Sequence, residues 1–474
     1  MLEEKEWKEY MDYRYRPEQV HIVNRRLQEL IHENKKLFVV IDDDPTGGQT
    51  AHGLTVYMSW SEEIILDAFR KTDRMFYIMT NSRSMPKEET ARVHEEIMHG
   101  LNYAAGLTGR EFEVISRSDS TLRGHYPLET DIIGRHINGG VKKELIIPFF
   151  QEGNRYTIND IHCLYEEGAM IPAGESEFSK DKTFGYKNSD LKLWIEEKTQ
   201  GKYPAGEADS VSLEMLRTLD FKGIGRILTK DSGQKIIVNS TCYMDLMVFA
   251  VCYYEALGKG IFFVARTASA WPKVVGDIPD IPYIRAEDIV DLKCGYGGLV
   301  IVGSHVRKTS EQLEMLRYSH IPLEFIEFNQ HLAVEAGKLE NEVKRVSSLA
   351  NTLMKEGKTV VVYTKRERID FNSGSKEEEL NITNRIADAV TGIAEGIEMK
   401  PRFVIVKGGI TSSDVAVKAF RTKKAEIIGQ AAAGVPVWKL GEESKYPGMA
   451  YVVFPGNVGT KDTLKEVVEE LARL

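Results

Sequence analysis

The sequence predicts an α/β protein made of two doubly wound, mainly parallel-sheet domains with a cleft between them. Three observations carry this expectation. Short apolar runs such as Leu37-Phe38-Val39-Val40-Ile41 end in polar turns, as strands buried on both faces do. Between them apolar residues recur at helical spacing, as at Val93, Ile97, Leu101 and Ala104. The alternation halts over 271–291, a stretch with Pro272, Pro279, Pro282 and several acids, and then restarts. At 474 residues the chain is long for one core. The expected division is a helical leader over 1–36, a first domain over 37–290 and a second over 291–474.

Taken in order, residues 1–35 are charged and helix-prone. The first strand opens into Asp42-Asp43-Asp44-Pro45-Thr46-Gly47-Gly48. Three adjacent carboxylates repel one another and disfavour a regular element. Alone they read equally well as a solvated turn, but the carboxyl end of a buried strand is where open α/β sheets bind ligands. Met75–Met79 is the second strand and leads to Thr80-Asn81-Ser82-Arg83-Ser84. Phe112, Val114 and Ile115 mark the third, which delivers 116–124; Leu145-Ile146-Ile147 is the fourth and runs into 148–155. No buried strand is expected from about 163 to 205, where 180–186 reads as an ordered loop or flap. Runs at 235–240 and 261–266 complete the domain. The second domain has runs at 298–302, 322–326, 358–364, 403–407 and 451–454. Leu464, Val467, Val468 and Leu471 form the inner face of a terminal helix.

Composition narrows the function classes. The chain is 42% hydrophobic and 28% charged with a net charge of −9, which argues against a nucleic-acid or anionic-membrane binder. No apolar stretch is long enough to span a membrane, and the first residues lack the pattern of a signal peptide. Four cysteines (Cys163, Cys242, Cys252, Cys294) form no C-x-x-C pair, and the simplest reading is reduced cytoplasmic thiols. Neither G-x-x-x-x-G-K-[ST] nor a helix-opening G-x-G-x-x-G occurs, and the histidines do not cluster at metal-ligand spacing.

The chemistry gathers at strand ends. Asp43 and Asp44 follow the first strand, Arg83 the second, Asp119, Ser120, Thr121 and Arg123 the third, and Arg155 the fourth. Arginine pairs bidentately with carboxylates, while Asp, Ser and Thr bind hydroxyls. That inventory suits a small polyhydroxylated acid, although any one of these arginines is by itself more often a surface residue. In the second domain Gly408-Gly409-Ile410-Thr411 joins a strand to a helix, and Thr411 with Asp414 fits a capping box. Paired glycines there, and Gly456 with Gly459 before the terminal helix, let a phosphate approach backbone N–H groups. Ser304 offers a hydroxyl after its own strand.

These motifs together resemble the four-carbon acid sugar kinases over nearly the whole chain after the leader. Asp43-Asp44-Pro45-Thr46-Gly47 is similar to the family's D-D-x-T-G opening, and 80–84 to its T-x-S/T-R-S element. Ser118-Asp119-Ser120-Thr121-Leu122-Arg123-Gly124 matches D-S-T-L-R-G, the most specific motif of the set. The segment 148–157 resembles P-A-F-P-x-x-G-R-x-T. Gly303-Ser304, Gly408-Gly409-x-Thr411 and Gly456-Asn457-Val458-Gly459 resemble the nucleotide-side G-S, G-G-x-T and G-N/G-F-G elements. The chain departs from the family pattern in an extra acid at Asp42, Gln151 for Pro, an inserted Asn154, His305-Val306 for Cys-Ser, and Pro455 for Ser.

The resemblance implies a cytoplasmic, ATP- and Mg2+-dependent kinase whose first domain holds a sugar acid and whose second holds the nucleotide. The substrate would be threonate, erythronate or an oxo-tetronate. Asp44, with Asp119 second, would take the hydroxyl proton. Asp43, Arg83, Asp119, Ser120, Thr121, Arg123 and Arg155 would bind the acid. Ser304, Gly408, Gly409, Ile410, Thr411, Gly456 and Asn457 would bind ATP, and no metal ligand is singled out. The residues also admit a nicotinamide-dependent hydroxy-acid dehydrogenase or a non-catalytic sugar-acid sensor. A homodimer is the expected assembly from base rates, with no nucleic-acid or membrane partner.

Overall fold

The computed structural model describes residues 4–137, 139, 143–231, 234–291, 293–335, 337–367, 376–456 and 458–473. Its strands in chain order are β1 (Leu37–Asp42), β2 (Leu54–Tyr57), β3 (Met75–Met79), β4 (Phe112–Arg117), β5 (Lys143–Ile147) and β6 (Arg155–Ile158). These are followed by β7 (Ile161–Glu166), β8 (Ala169–Pro172), β9 (Asp209–Val211), β10 (Lys235–Val238), β11 (Phe263–Thr267) and β12 (Leu299–Val302). The last are β13 (Leu323–Phe328), β14 (Thr359–Thr364), β15 (Val404–Lys407), β16 (Lys424–Ala432), β17 (Val435–Leu440) and β18 (Ala450–Phe454). The chain forms two compact units, residues 1–47 with 59–279 and residues 48–58 with 280–474.

In the first unit the parallel strands lie in the order β3-β1-β4-β11-β5-β10-β9. The register sets the site. Asp42 is level with Met79 and Arg117, Arg117 with Thr267, and Thr267 with Ile147. The loops after β1, β3, β4, β11 and β5 therefore leave the sheet side by side. Helix Lys87–Thr108 buries Val93, Ile97, Leu101 and Ala104, the stripe read from spacing, and stops at Gly109 in the left-handed region (φ 68°). The leader is helical over Glu4–Asp12 and Pro17–Glu33, the second helix starting with a proline in its first turn and burying Val23, Leu27 and Ile31.

An antiparallel sheet β6-β7-β8 covers part of the stretch expected to lack strands. Its strands are short, and β8 is nowhere buried, so no apolar run announced it. A second cluster packs Leu122, Tyr126, Ile146, Leu164, Tyr186 and Trp194 together, anchoring the loop after β4 to this region.

The second unit places its parallel strands in the order β13-β14-β12-β15-β18 and continues with antiparallel β17, β16 and β2. Val302 is level with Tyr363 and Lys407, and Lys407 with Phe454, so four more loops leave together. The terminal helix Thr463–Ala472 buries Leu464, Val467, Val468 and Leu471 against Val300, Ile405 and Val452. The division falls after Pro279, ahead of the expected border at 290, and 48–58 belongs to this unit. The reason is backbone pairing: β2 runs antiparallel to β16, with Leu54 opposite Ile427 and Tyr57 opposite Lys424. A four-residue strand that pairs with a hairpin about 370 positions away leaves no local signature.

Candidate functional site

In the first unit the triple aspartate is folded into a network of guanidinium groups. Arg83 grips both oxygens of Asp43 through Nη2 (2.6 Å) and Nε (3.2 Å), and its Nη1 donates to Asp44 Oδ2 (2.8 Å). The same Nη1 stands 3.8 Å from Asp119 Oδ1. Arg117, which closes β4, donates to Asp42 Oδ1 (3.0 Å) and to Ser269 Oγ (3.0 Å). Ser118 Oγ donates to Asp43 Oδ2 (2.7 Å), and buried Arg266, next to the end of β11, donates to the Arg123 carbonyl (2.9 Å). Gly47 is required here, because a Cβ on it would lie 1.6 Å from Asp42 Oδ2.

The carboxylates differ in environment. Burial pushes the Asp42 carboxyl up to about 7, with Asp43 and Asp44 adding to the push and Arg117 opposing it. Burial would also raise Asp44, but Arg83, Arg117 and two hydrogen bonds from Thr46 (N 2.7 Å, Oγ1 2.6 Å) hold it below its ordinary value. Asp119 is held far below the carboxylate range: Arg123 and Arg83 overcome its burial, and Thr121 Oγ1 donates to it. The Asp44 side chain is 20% exposed against 2% for Asp43, so Asp44 is the acid a ligand can reach.

Arg123 donates through Nε to Asp119 (2.7 Å) and lies over the Phe178 ring at 5.0 Å. Arg155 lies over the same ring at 5.6 Å. Arg155 Nε is buried without a hydrogen-bond partner among the described residues, and its nearest carboxylate, Glu166, is 3.9 Å away. A guanidinium held this way retains capacity for an incoming anion. Strained backbone accompanies the loops: Asn81 (φ 57°), Leu122 (φ 67°) and Asn154 (φ 59°) are all left-handed. Asn tolerates that region, so the inserted Asn154 fits its turn. For Leu122 the cost of about 1–3 kcal/mol is offset by full burial of its side chain, about 1.5–3 kcal/mol.

The histidines near these loops are structural. His162 donates through Nε2 to the Ser120 carbonyl (2.7 Å) and accepts at Nδ1 from Thr157 Oγ1 (3.0 Å), and burial pulls it down to about 4, so it stays neutral. His125 bonds the Met85 carbonyl (3.0 Å) and meets the Phe184 ring at 4.8 Å.

A second constellation occupies the loops after β12, β14, β15 and β18. A Cβ on Gly303 would lie 2.8 Å from Thr411 Oγ1, and one on Gly456 would lie 3.0 Å from Ser304 Oγ. Gly408 has φ 126°, which a side chain rarely adopts, and its Cβ would fall 3.4 Å from that of Ser304. Gly303, Ser304, Gly408, Thr411 and Gly456 thus meet in one cradle. Gly409 follows Gly408, and Ile410 is 55% exposed beside it. The expected capping box is corrected: the helix Gly409–Asp414 starts after Gly408, which places Thr411 inside its first turn. Asn457 lies outside the described residues.

The structure therefore brings Asp43, Asp44, Arg83, Asp119, Thr121 and Arg123 into one network. Arg155 joins it across Phe178, and Ser120 contributes its carbonyl to His162. Sequence reasoning passed over Arg117, Arg266, Lys407 and Arg366. The first three share a signal that was available, a basic residue in one of the last two positions of a strand marked by its apolar residues.

Comparison with known proteins agrees with this partition. A family model described as a sugar-binding N-terminal domain matches residues 38–273, and one described as a nucleotide-binding C-terminal domain matches 299–464. The fold resembles that of the Haemophilus influenzae protein HI1011, at 16% identity and a TM-score of 0.60, covering 91% of this chain and 100% of that one. It also resembles a Salmonella typhimurium LT2 protein to which a tRNA synthase role has been attributed, at 14% identity and a TM-score of 0.64, covering 90% and 98%. No curated protein matches the chain.

Proposed function

Because the chain belongs to the four-carbon acid sugar kinase family, we propose that it transfers a phosphoryl group from ATP to a hydroxyl of a four-carbon sugar acid. Threonate, erythronate and the oxo-tetronates are the candidate acceptors. The observation that carries this reading is the contrast in charge between two sets of strand ends. One holds carboxylates and guanidinium groups at hydrogen-bonding distance, the inventory for a hydroxy acid; the other holds glycines and cations, the inventory for a polyphosphate.

Phosphoryl transfer asks the protein mainly for positioning and for stabilising charge. Arg155 and Arg123 bind the acid's carboxylate, with Phe178 holding both guanidinium planes. Asp44 accepts the proton of the attacking hydroxyl. Its low pKa is compatible with that role, since in a loose transition state the proton leaves late. Arg83 orients Asp44 and keeps Asp43 and Asp119 in place, while Asp119 orients Arg123. ATP fits the cradle built on Gly303, Ser304, Gly408, Gly409, Thr411 and Gly456, whose glycines let the loops close on the Ser304 and Thr411 side chains. Among the described residues no group of three or more His, Cys, Asp or Glu has the arrangement of a metal site. Magnesium would ride on the nucleotide's phosphates and supply charge neutralisation there.

The test is ADP release from Mg-ATP across a panel of threonate, erythronate and their 2- and 3-oxo forms. Turnover with one member supports the reading and names the acceptor. Silence across the panel from a protein that still binds ATP removes the four-carbon acids as substrates.

A further inference from the structure

The nucleotide-side cradle contains two cations that the family resemblance did not point to. Lys407 closes β15 and is wholly buried, with Nζ donating to the carbonyls of Pro455 (2.9 Å) and Gly456 (3.4 Å) and lying 4.1 Å from the centre of the Phe454 ring. Arg366 follows β14 and is half-buried, donating to the Ser304 carbonyl (2.8 Å) and to Ser310 Oγ (2.7 Å). Neither forms an ion pair with a carboxylate among the described residues. A buried lysine ordinarily has a carboxylate partner. Both cations hold segments of the cradle: Arg366 binds the Ser304 carbonyl, and Lys407 binds the carbonyl of Gly456, at which a Cβ would lie 3.0 Å from the Ser304 hydroxyl.

We propose that Lys407 is a proton-coupled anchor for the nucleotide's polyphosphate, with Arg366 as its permanently charged partner, so that ATP binding takes up a proton. This rests on the nucleotide-binding reading of the second unit and adds to it a pH linkage seated in one side chain. Burial pulls the Lys407 ammonium down to about 7, so at pH 8 it is mainly neutral in the empty cradle. A polyphosphate arriving beside it restores the charged form. Other charged or ionisable groups on the segments after β12, β14, β15 and β18 include His305, Lys308, Asp414, Lys461 and Asp462. Of these, Lys308 acts on Lys407 and lowers it further. Asp414 is engaged with Lys418 (3.2 Å), and Arg307 with Glu311 (2.8 Å).

The experiment is calorimetric titration of the intact protein with ATP at pH 8 in Tris and in HEPES, whose differing ionisation heats report protons taken up. The wild type is expected to absorb about one proton per ATP. Lys407→Met should abolish uptake and weaken ATP about 30-fold or more while adenosine binds as before. Lys407→Arg should retain most of the affinity without the uptake, and Arg366→Gln should lose affinity while keeping it. Absence of uptake in the wild type overturns the proposal without recourse to any variant. Uptake or affinity unchanged in a folded Lys407→Met protein overturns it equally. ATP turnover combined with either result leaves the kinase reading standing alone. Lys407-dependent uptake without turnover of any four-carbon acid supports the anchor and sinks the proposed acceptor.

Discussion

The two constellations sit at equivalent places, the carboxyl ends of parallel strands, yet their charge is handled in opposite ways. In the first unit, acids and bases are interleaved: Asp42 with Arg117, Asp43 and Asp44 with Arg83, Asp119 with Arg123. In the second, Lys407 and Arg366 are held by carbonyls and hydroxyls. Paired charges are fixed in position before a ligand arrives, which suits orienting a small acid whose hydroxyls must be aimed. Basic groups held only by neutral partners leave the countercharge to be supplied by the ligand, which suits gripping a highly charged one. The difference separates a site that aims from a site that holds.

The largest expected effect breaks the first side of this comparison at its exposed acid. Asp44→Asn should lower kcat about 10²–10⁴-fold while leaving ATP affinity unchanged, as steady-state kinetics beside ATP titration will tell; full kcat would remove Asp44 from the role of base. Arg155→Ala comes next, with a rise in KM for the acid of about 30-fold and little change for ATP. An equal loss for both substrates would mean that Arg155 supports the fold rather than the acid. Gly47→Ala should cost about 1–3 kcal/mol in urea unfolding, because its Cβ would overlap the Asp42 carboxylate. A variant as stable as the parent would show that the Asp42–Arg117 pair has room to shift.

The smallest effect is a pH trend. Asp42 has its folded-state pKa raised to about 7 from an ordinary 3.8. Its contribution to stability is therefore fully present below about 4 and is lost as pH rises through 7. Asp44 and Asp119 act in the opposite sense. Their folded pKa values are lowered, so their contributions are present above the ordinary carboxylate value and are lost at lower pH. Unfolding free energy measured between pH 8 and 5 should include a gain on acidification that Asp42→Asn abolishes. The same gain in that variant would assign it to another group.

Much of the fold was legible because its parallel strands are buried on both faces and so read as apolar runs: β1, β3, β4, β5, β10, β11, β12, β14, β15 and β18 all appear this way. The antiparallel pieces β2, β6, β8 and β16 were not legible, since they are short or alternate in burial and their pairing is set by partners elsewhere in the chain. In the candidate site, the acids and glycines stood out because turn chemistry and runs of like charge are local features. Arg117, Arg266 and Lys407 did not, because a basic residue at the end of a strand looks the same in sequence whether it reaches solvent or is buried.

The sequence by itself thus determined which segments are strands buried in parallel sheets, where the chain leaves those sheets, and which loops carry carboxylates, guanidinium groups or paired glycines. These properties depend on neighbours within a few positions. Only the tertiary structure decided that 48–58 pairs with β16, that Asp43 rather than Asp44 is sealed beneath Arg83, and that Lys407 is left with carbonyl partners. Burial and ion pairing are set by groups brought together across the sheet register, and a linear pattern does not record that register.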